Sequence, residues 1–418
     1  MPQACDLQNQ TPASASVKRV NHPLLEEARA HLPTVVDLRR AIHREPELGL
    51  DLPLTQKKVL AALENLPLEI RTGQRTTSVT ADLRGAHPGR TIILRGDMDA
   101  LPLHEDTEVP FKSHFDGRMH ACGHDAHTAM LTGAARILAA HQSELHGAVR
   151  FMFQPGEEGY AGAVVMIGEG LLDAPSGGNK PTAAFALHAA PRWTSGTVLT
   201  RPGPVLASTD NFTILIRGRG GHASAPHMAA DPVPVACEIV LALQSLVTRS
   251  VNVFTPGVLT VARLEAGTAS NIIPEVATLR GTIRTLSAHT RSTLVEGLHR
   301  VAHGVSSAHG LDAEVHNEPG YPVTVNDADF ARFVLDTGRQ ILGPDRCVEQ
   351  PSPQMPGEDF AYVLEEIPGA MASLGTRPEG FGEGEAPNAH SNRYLLNEDA
   401  LASGVAMYAG VALAYLAP

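Results

Sequence analysis

Three short apolar runs in the first half of this chain each end in residues that carry chemistry. Thr91-Ile92-Ile93-Leu94-Arg95-Gly96 runs into Asp97-Met98-Asp99, Val149-Arg150-Phe151-Met152-Phe153 runs into Glu157-Glu158, and Ala183-Ala184-Phe185-Ala186-Leu187 runs into His188. Apolar runs of this length read as buried strands. Between the first two, Met130, Leu131, Ala134, Ile137 and Leu138 recur at helical spacing, and residues 22–64 read as helical with a break near Pro46. Strands alternating with helices predict a largely parallel sheet covered on both faces. Ligand sites of such sheets lie at the carboxyl ends of the strands, where these polar groups sit.

The pattern changes near residue 205. Phe212 to Arg217 reads as a strand, Asp231-Pro232 opens a helix carrying Val235, Ile239, Leu243 and Leu246, and strands follow near 257–264 and 277–286. A helix near 288–307 and a strand near 311–317 complete a β-α-β-β-α-β unit of the ferredoxin-like type. A chain of 418 residues also exceeds what one core usually spans. The expected division is a disordered tail over 1–20, a catalytic α/β domain over 21–205, an inserted unit over 206–319, and the rest of the catalytic domain over 320–418.

The net charge of -12 excludes a nucleic-acid surface, which needs clustered Lys and Arg. No apolar run approaches a membrane span, and the first twenty residues lack the apolar segment of a secretory signal. The four cysteines, Cys5, Cys122, Cys237 and Cys347, are too scattered for a disulfide framework and predict a reducing, cytoplasmic setting. Cys237 fits an apolar helix face and Cys347 a buried position. With 20 histidines in the chain most must be bland, and His43, His87, His141, His299 and His309 are assigned to surface or packing.

One stretch concentrates metal-binding side chains: Met119-His120-Ala121-Cys122-Gly123-His124-Asp125-Ala126-His127. Cys122 and His124 are too close for a zinc finger but suit one loop aimed at one metal. Glu157 and Glu158 follow a strand and are flanked by Gly156 and Gly159, so one can bind metal while the other acts as a general base. Asp99 suits the carboxylate that sits behind a ligating histidine. Taken singly, Asp97 and Asp99 read as turn formers, and His188 and His390 as hydrogen-bonded core histidines.

These motifs resemble, in order over nearly the whole chain after the tail, the metal-dependent aminoacylase/carboxypeptidase family. The resemblance is to the amidohydrolase branch that contains hippurate hydrolases and indole-3-acetyl-amino-acid hydrolases. It rests on Ile42 to Gly49, Gly96 to Pro102, Cys122 and His124, Phe153 to Gly162, Gly220 to Ser224, Ser270 to Pro274 and Gly357 to Phe360. It implies a metallopeptidase-like α/β/α catalytic domain with an inserted α+β lid that often dimerises. It implies metal ligands Cys122, His124, Glu158, His188 and His390, a general base Glu157 and a supporting carboxylate Asp99. His222 would help stabilise the oxyanion, and Asn271 and Arg284 would contact the substrate carboxylate. The implied reaction is cleavage of N-acyl amino acids into an amino acid and a carboxylic acid, by a hydroxide bridging two divalent metals. Zinc fits the donors, with manganese, cobalt or nickel as alternatives. A dipeptidase or carboxypeptidase, or a catalytically silent metal-dependent binding protein, are the other readings.

Overall fold

The structure, a computed structural model, describes residues 22–418. The tail over 1–20, with Cys5, lies outside the described residues. The helical stretch at the start forms α1 (Pro23–His43) and α2 (Pro53–Leu63), broken at the expected place. Both begin on proline, whose missing N–H costs nothing in a first turn.

The large sheet has eight strands. In chain order they are β1 (Leu68–Thr72), β2 (Val79–Arg84), β3 (His87–Asp97), β4 (His146–Gln154), β5 (Pro181–Ala190), β6 (Val198–Thr200), β11 (Cys347–Glu349) and β12 (Gly369–Gly375). Their spatial order is β1-β2-β4-β3-β5-β12-β6-β11. The centre is parallel, with β3 paired to β4 and β5, and β5 to β12. The flank is not as expected: β1, β2 and β4 are joined antiparallel. The turn at Gly85-Ala86 brings β3 back beside the β2–β4 ribbon without a crossover helix, which sequence patterning alone does not reveal. α3 (His124–Ala140), α6 (Ala328–Leu342) and α7 (Leu401–Tyr415) cover the sheet together with α1, burying Met130, Leu131, Val334, Val405 and Met407 in one core.

A second core belongs to a separate four-stranded antiparallel sheet. Its strands are β7 (Ser208–Arg217), β8 (Gly257–Ala266), β9 (Val276–Thr285) and β10 (Asp312–Pro319), in the order β8-β9-β7-β10. α4 (Pro232–Ser250) and α5 (Ala288–Ala308) pack on one face, burying Val235, Ile239, Leu243, Leu294 and Leu298. Asp231 caps α4 by accepting from Val233 N at 3.0 Å, as the Asp-Pro pair predicts. The strand order is that of a ferredoxin-like unit.

Two expectations fail on α4. Its length and composition would suffice to cross a membrane. One face of it, with Val235, Ala236, Ile239, Leu243 and Leu246, packs into the core of this unit. Cys237 is exposed, not buried. The helix is apolar on more than its packed face (Leu241 is also exposed), so apolar neighbours in sequence do not mark the buried side.

Candidate active site

The carboxyl ends of β3, β4 and β5 open into a cleft of about 700 Å³ that also meets β7 and β9. Cys122, Glu157, Glu158, His188, His390 and Arg284 line it. His124 and Asp99 lie fully buried directly behind. His222 and Asn271 are not brought to it. His222 sits on an exposed two-residue strand paired with Ile272-Ile273, and Asn271 O accepts from Ala223 N at 3.1 Å beside it.

Local backbone explains the placement. Gly123, at φ +91°, caps α3 and lets the chain turn sharply between Cys122 and His124, and a Cβ there would meet the Tyr394 hydroxyl. His390 itself sits at φ +68°, a strained choice for a non-glycine residue, held by its N–H to Ala121 O at 2.8 Å.

Two triads of donor atoms share Cys122. One is Cys122, His124 and His188, the other Cys122, Glu158 and His390, with the donor atoms of each within 4.8 Å of one another. Cys122 Sγ is 3.4 Å from His188 Nε2, and His390 Nε2 is 3.2 Å from Glu158 Oε1. Both ring nitrogens of His124 are buried without a hydrogen-bond partner. Buried polar atoms left unpaired inside a cluster of soft and borderline donors are what a bound cation would satisfy. Cys122, His124, Glu158, His188 and His390 would therefore be able to hold divalent ions.

Their surroundings set their charges. Burial opposes a charge on His124, but Asp97 and Cys122 outweigh it and raise its basicity. His188 is pushed down to about 3 by burial and by neighbouring His127, so it stands neutral, as a ligand must. Burial and the carboxylates of Glu358 and Glu158 push Glu157 well above the usual carboxylate range. Glu158, beside it, is lowered despite burial, by its hydrogen bond to His390 and the charge of His124.

Several contributors escape sequence reasoning. Asp99 does more than sit behind a histidine: Oδ1 lies 3.4 Å from His124 Nδ1, and its two oxygens accept the N–H groups of Glu157 and Glu158 at 3.0 Å each. Asp97 is no turn former. It is fully buried, pairs with Arg95 at 2.5 Å, and accepts from His127 Nδ1 at 2.6 Å. Arg95, itself buried, also grips Glu358 at 2.8 Å and Asp359 at 3.2 Å. His43 is not merely packed. It bonds Asp125 Oδ2 at 2.7 Å and Glu105 at 3.3 Å, and Arg39 donates to the same Asp125 oxygen at 2.7 Å. His120 is buried without a partner and joins no donor cluster among the described residues.

Two donor triads sharing Cys122 thus lie beside the buried carboxyl of Glu157. A family model described as peptidase family M20/M25/M40 matches residues 93–414. The chain belongs to that family. It is 38% identical to an N-acetylcysteine deacetylase of Bacillus subtilis, over 91% of this chain and 97% of that protein. It is 37% identical to thermostable carboxypeptidase 2 of Saccharolobus solfataricus, over 91% of this chain and 95% of that one. A crystal structure of a dinuclear metal-binding M20 peptidase from Bacillus subtilis superposes with a TM-score of 0.79 at 34% identity, covering 93% of this chain and 99% of that one. This M20 protein is a metal-dependent amide-bond hydrolase of the amidohydrolase/aminoacylase branch, with a site for two divalent ions.

Proposed function

We propose that the protein hydrolyses N-acyl amino acids to an amino acid and a carboxylic acid. The observation that carries the reading is Glu157: a carboxyl buried to 7% exposure that lines the cleft beside the two triads sharing Cys122 and belongs to neither of them. Cys122, His124, Glu158, His188 and His390 are the proposed ligands. When bound, the two divalent ions polarise the amide carbonyl and make the attacking water acidic. The mixed thiolate, imidazole and carboxylate donors favour zinc over manganese, cobalt or nickel.

Glu157 accepts the proton of the attacking water and returns it to the leaving nitrogen as the carbon–nitrogen bond breaks. Asp99 holds the main chain of both glutamates, so the base cannot swing away. Arg284 lines the cleft and is half-buried, whereas neighbouring Arg291 is the arginine that pairs with Asp210. A fork of donors placed in this way suits the carboxylate of the amino-acid half of the substrate. His222 and Asn271, exposed on the inserted unit, reach substrate only if that unit closes as a lid or a second copy supplies them. Exposed Leu241, Val253 and Phe254 on the same unit support assembly through it. The scattered cysteines, of which Cys122, Cys237 and Cys347 are free among the described residues, support a reducing, cytoplasmic setting.

A carboxypeptidase or dipeptidase would use the same base. Release of free amine from N-acetyl and N-benzoyl amino acids, compared with free dipeptides under metal-loaded conditions, separates the two. Faster turnover of free dipeptides would replace the present reading.

A further inference from the structure

The turn that carries Glu157 spans residues 155–161 and belongs to no helix or strand. Asp99 holds it from one side. From the other, a single hydroxyl does so: Tyr321 Oη accepts from Gly159 N at 2.8 Å and Ala161 N at 3.3 Å, and donates to Glu157 O at 2.5 Å. That uses the one proton and both lone pairs a phenol has. The main chain of Tyr321 is bound elsewhere. Its N–H donates to Thr209 Oγ1 at 2.9 Å, and its carbonyl accepts from Thr209 N at 2.9 Å. Thr209 lies at the root of β7, directly across the ladder from Arg284 of β9. Tyr321 stands two residues past the end of β10, where the chain leaves the inserted unit.

We propose that Tyr321 is a positioning residue that fixes the turn of Glu157 against the root of the inserted unit, in register with Arg284. The proposal rests on Glu157 acting as the base. Its logic is geometric. A base must meet the attacking water while the far end of the substrate is held; Thr209, Tyr321 and Glu157 are joined by hydrogen bonds, and Arg284 stands opposite Thr209 in the ladder. Misplacement of a reacting group by about 1 Å costs on the order of a hundredfold in rate. Binding of the substrate carboxylate depends on the position of Glu157 much less.

Tyr321→Phe removes the hydroxyl alone and keeps the ring that meets Tyr362 edge-on at 6.2 Å. In the full-length, metal-loaded enzyme, kcat should fall roughly ten- to hundredfold while KM and bound metal change little. A group acting only through Glu157 has nothing left to lose once Glu157 is gone. In the Glu157→Gln background, adding Tyr321→Phe should therefore leave kcat where it was. Wild-type kcat in Tyr321→Phe overturns the proposal, as does a further loss of about tenfold in the double variant. Should Tyr321→Phe fold poorly, Thr209→Val removes the hydroxyl beneath Tyr321, and an unchanged kcat there overturns it equally. Full activity in Glu157→Gln alone would instead remove the base assignment, and this proposal with it.

Discussion

The Nε2 atom of His127 accepts the backbone N–H of Ala189 at 2.7 Å. The pairing of β5 with β3 ends at Ala186, so a ring nitrogen takes the N–H of Ala189 where the neighbouring strand has stopped. An amide can only donate, so His127 must carry its proton on Nδ1, where Asp97 accepts it. The carbonyl of Ala189 in turn accepts from His188 Nδ1 at 2.8 Å, which leaves His188 Nε2 bare and facing Cys122. His127→Phe should therefore weaken binding of one metal by about ten- to a hundredfold, the usual cost of removing a partner behind a ligand. Competition with a chromophoric chelator measures it, and unchanged affinity for both ions would show that the pairing is only structural.

Glu157→Gln should keep fold and metal content while kcat falls by roughly three orders of magnitude, given what general-base catalysis contributes. Metal analysis and steady-state kinetics on one preparation decide it. Near-wild-type kcat in the loaded variant would assign the base elsewhere.

Burial and Glu158 raise the Cys122 thiol when no ion is bound, whereas only the thiolate coordinates well. Chelation should expose Cys122 to alkylation and metal should protect it. Exposed Cys237 should label in both states, and Cys347, buried with its thiol pushed up to about 12, in neither. Equal labelling of Cys122 with and without chelator, by peptide mapping, would exclude it as a ligand.

Arg284→Ala should raise KM for substrates with a free carboxylate by about 2 kcal/mol, the worth of a charge-assisted bond. Esterified substrates should be affected far less. An equal loss on both would place the carboxylate contact elsewhere.

Glu105 is lowered from its ordinary 4.5 to about 2, because the hydrogen bonds from His43, Thr107 and Ser113 outweigh its burial. A depressed carboxylate stabilises the fold fully above its ordinary value, and that contribution disappears as pH falls from about 4.5 toward 2. Glu105→Gln should cost about 1–3 kcal/mol at neutral pH. The gap to the wild type should narrow across that acid window in thermal melts. A gap that does not change with pH would mean that the carboxylate charge is not what stabilises.

The sequence by itself determined the candidate site residues and the elements that hold them. Apolar runs ending in Asp, Glu and His report strands and their carboxyl ends because burial and periodicity are local properties. The motif around Cys122 and His124 and the paired Glu157-Glu158 were legible because each group is contiguous in sequence. Tertiary structure decided what distance in sequence hides. That Asp97 serves His127, that His43 meets Asp125 and Glu105, and that Tyr321 holds the turn of Glu157 from 164 residues away depend on which strand ends and loops the fold brings together. It also decided that Cys237 faces outward and that His222 and Asn271 stay outside the cleft. A side chain's type sets which bonds it can make. Only the packed chain, by leaving a donor such as Ala189 N–H without a strand neighbour, sets which bond it must make.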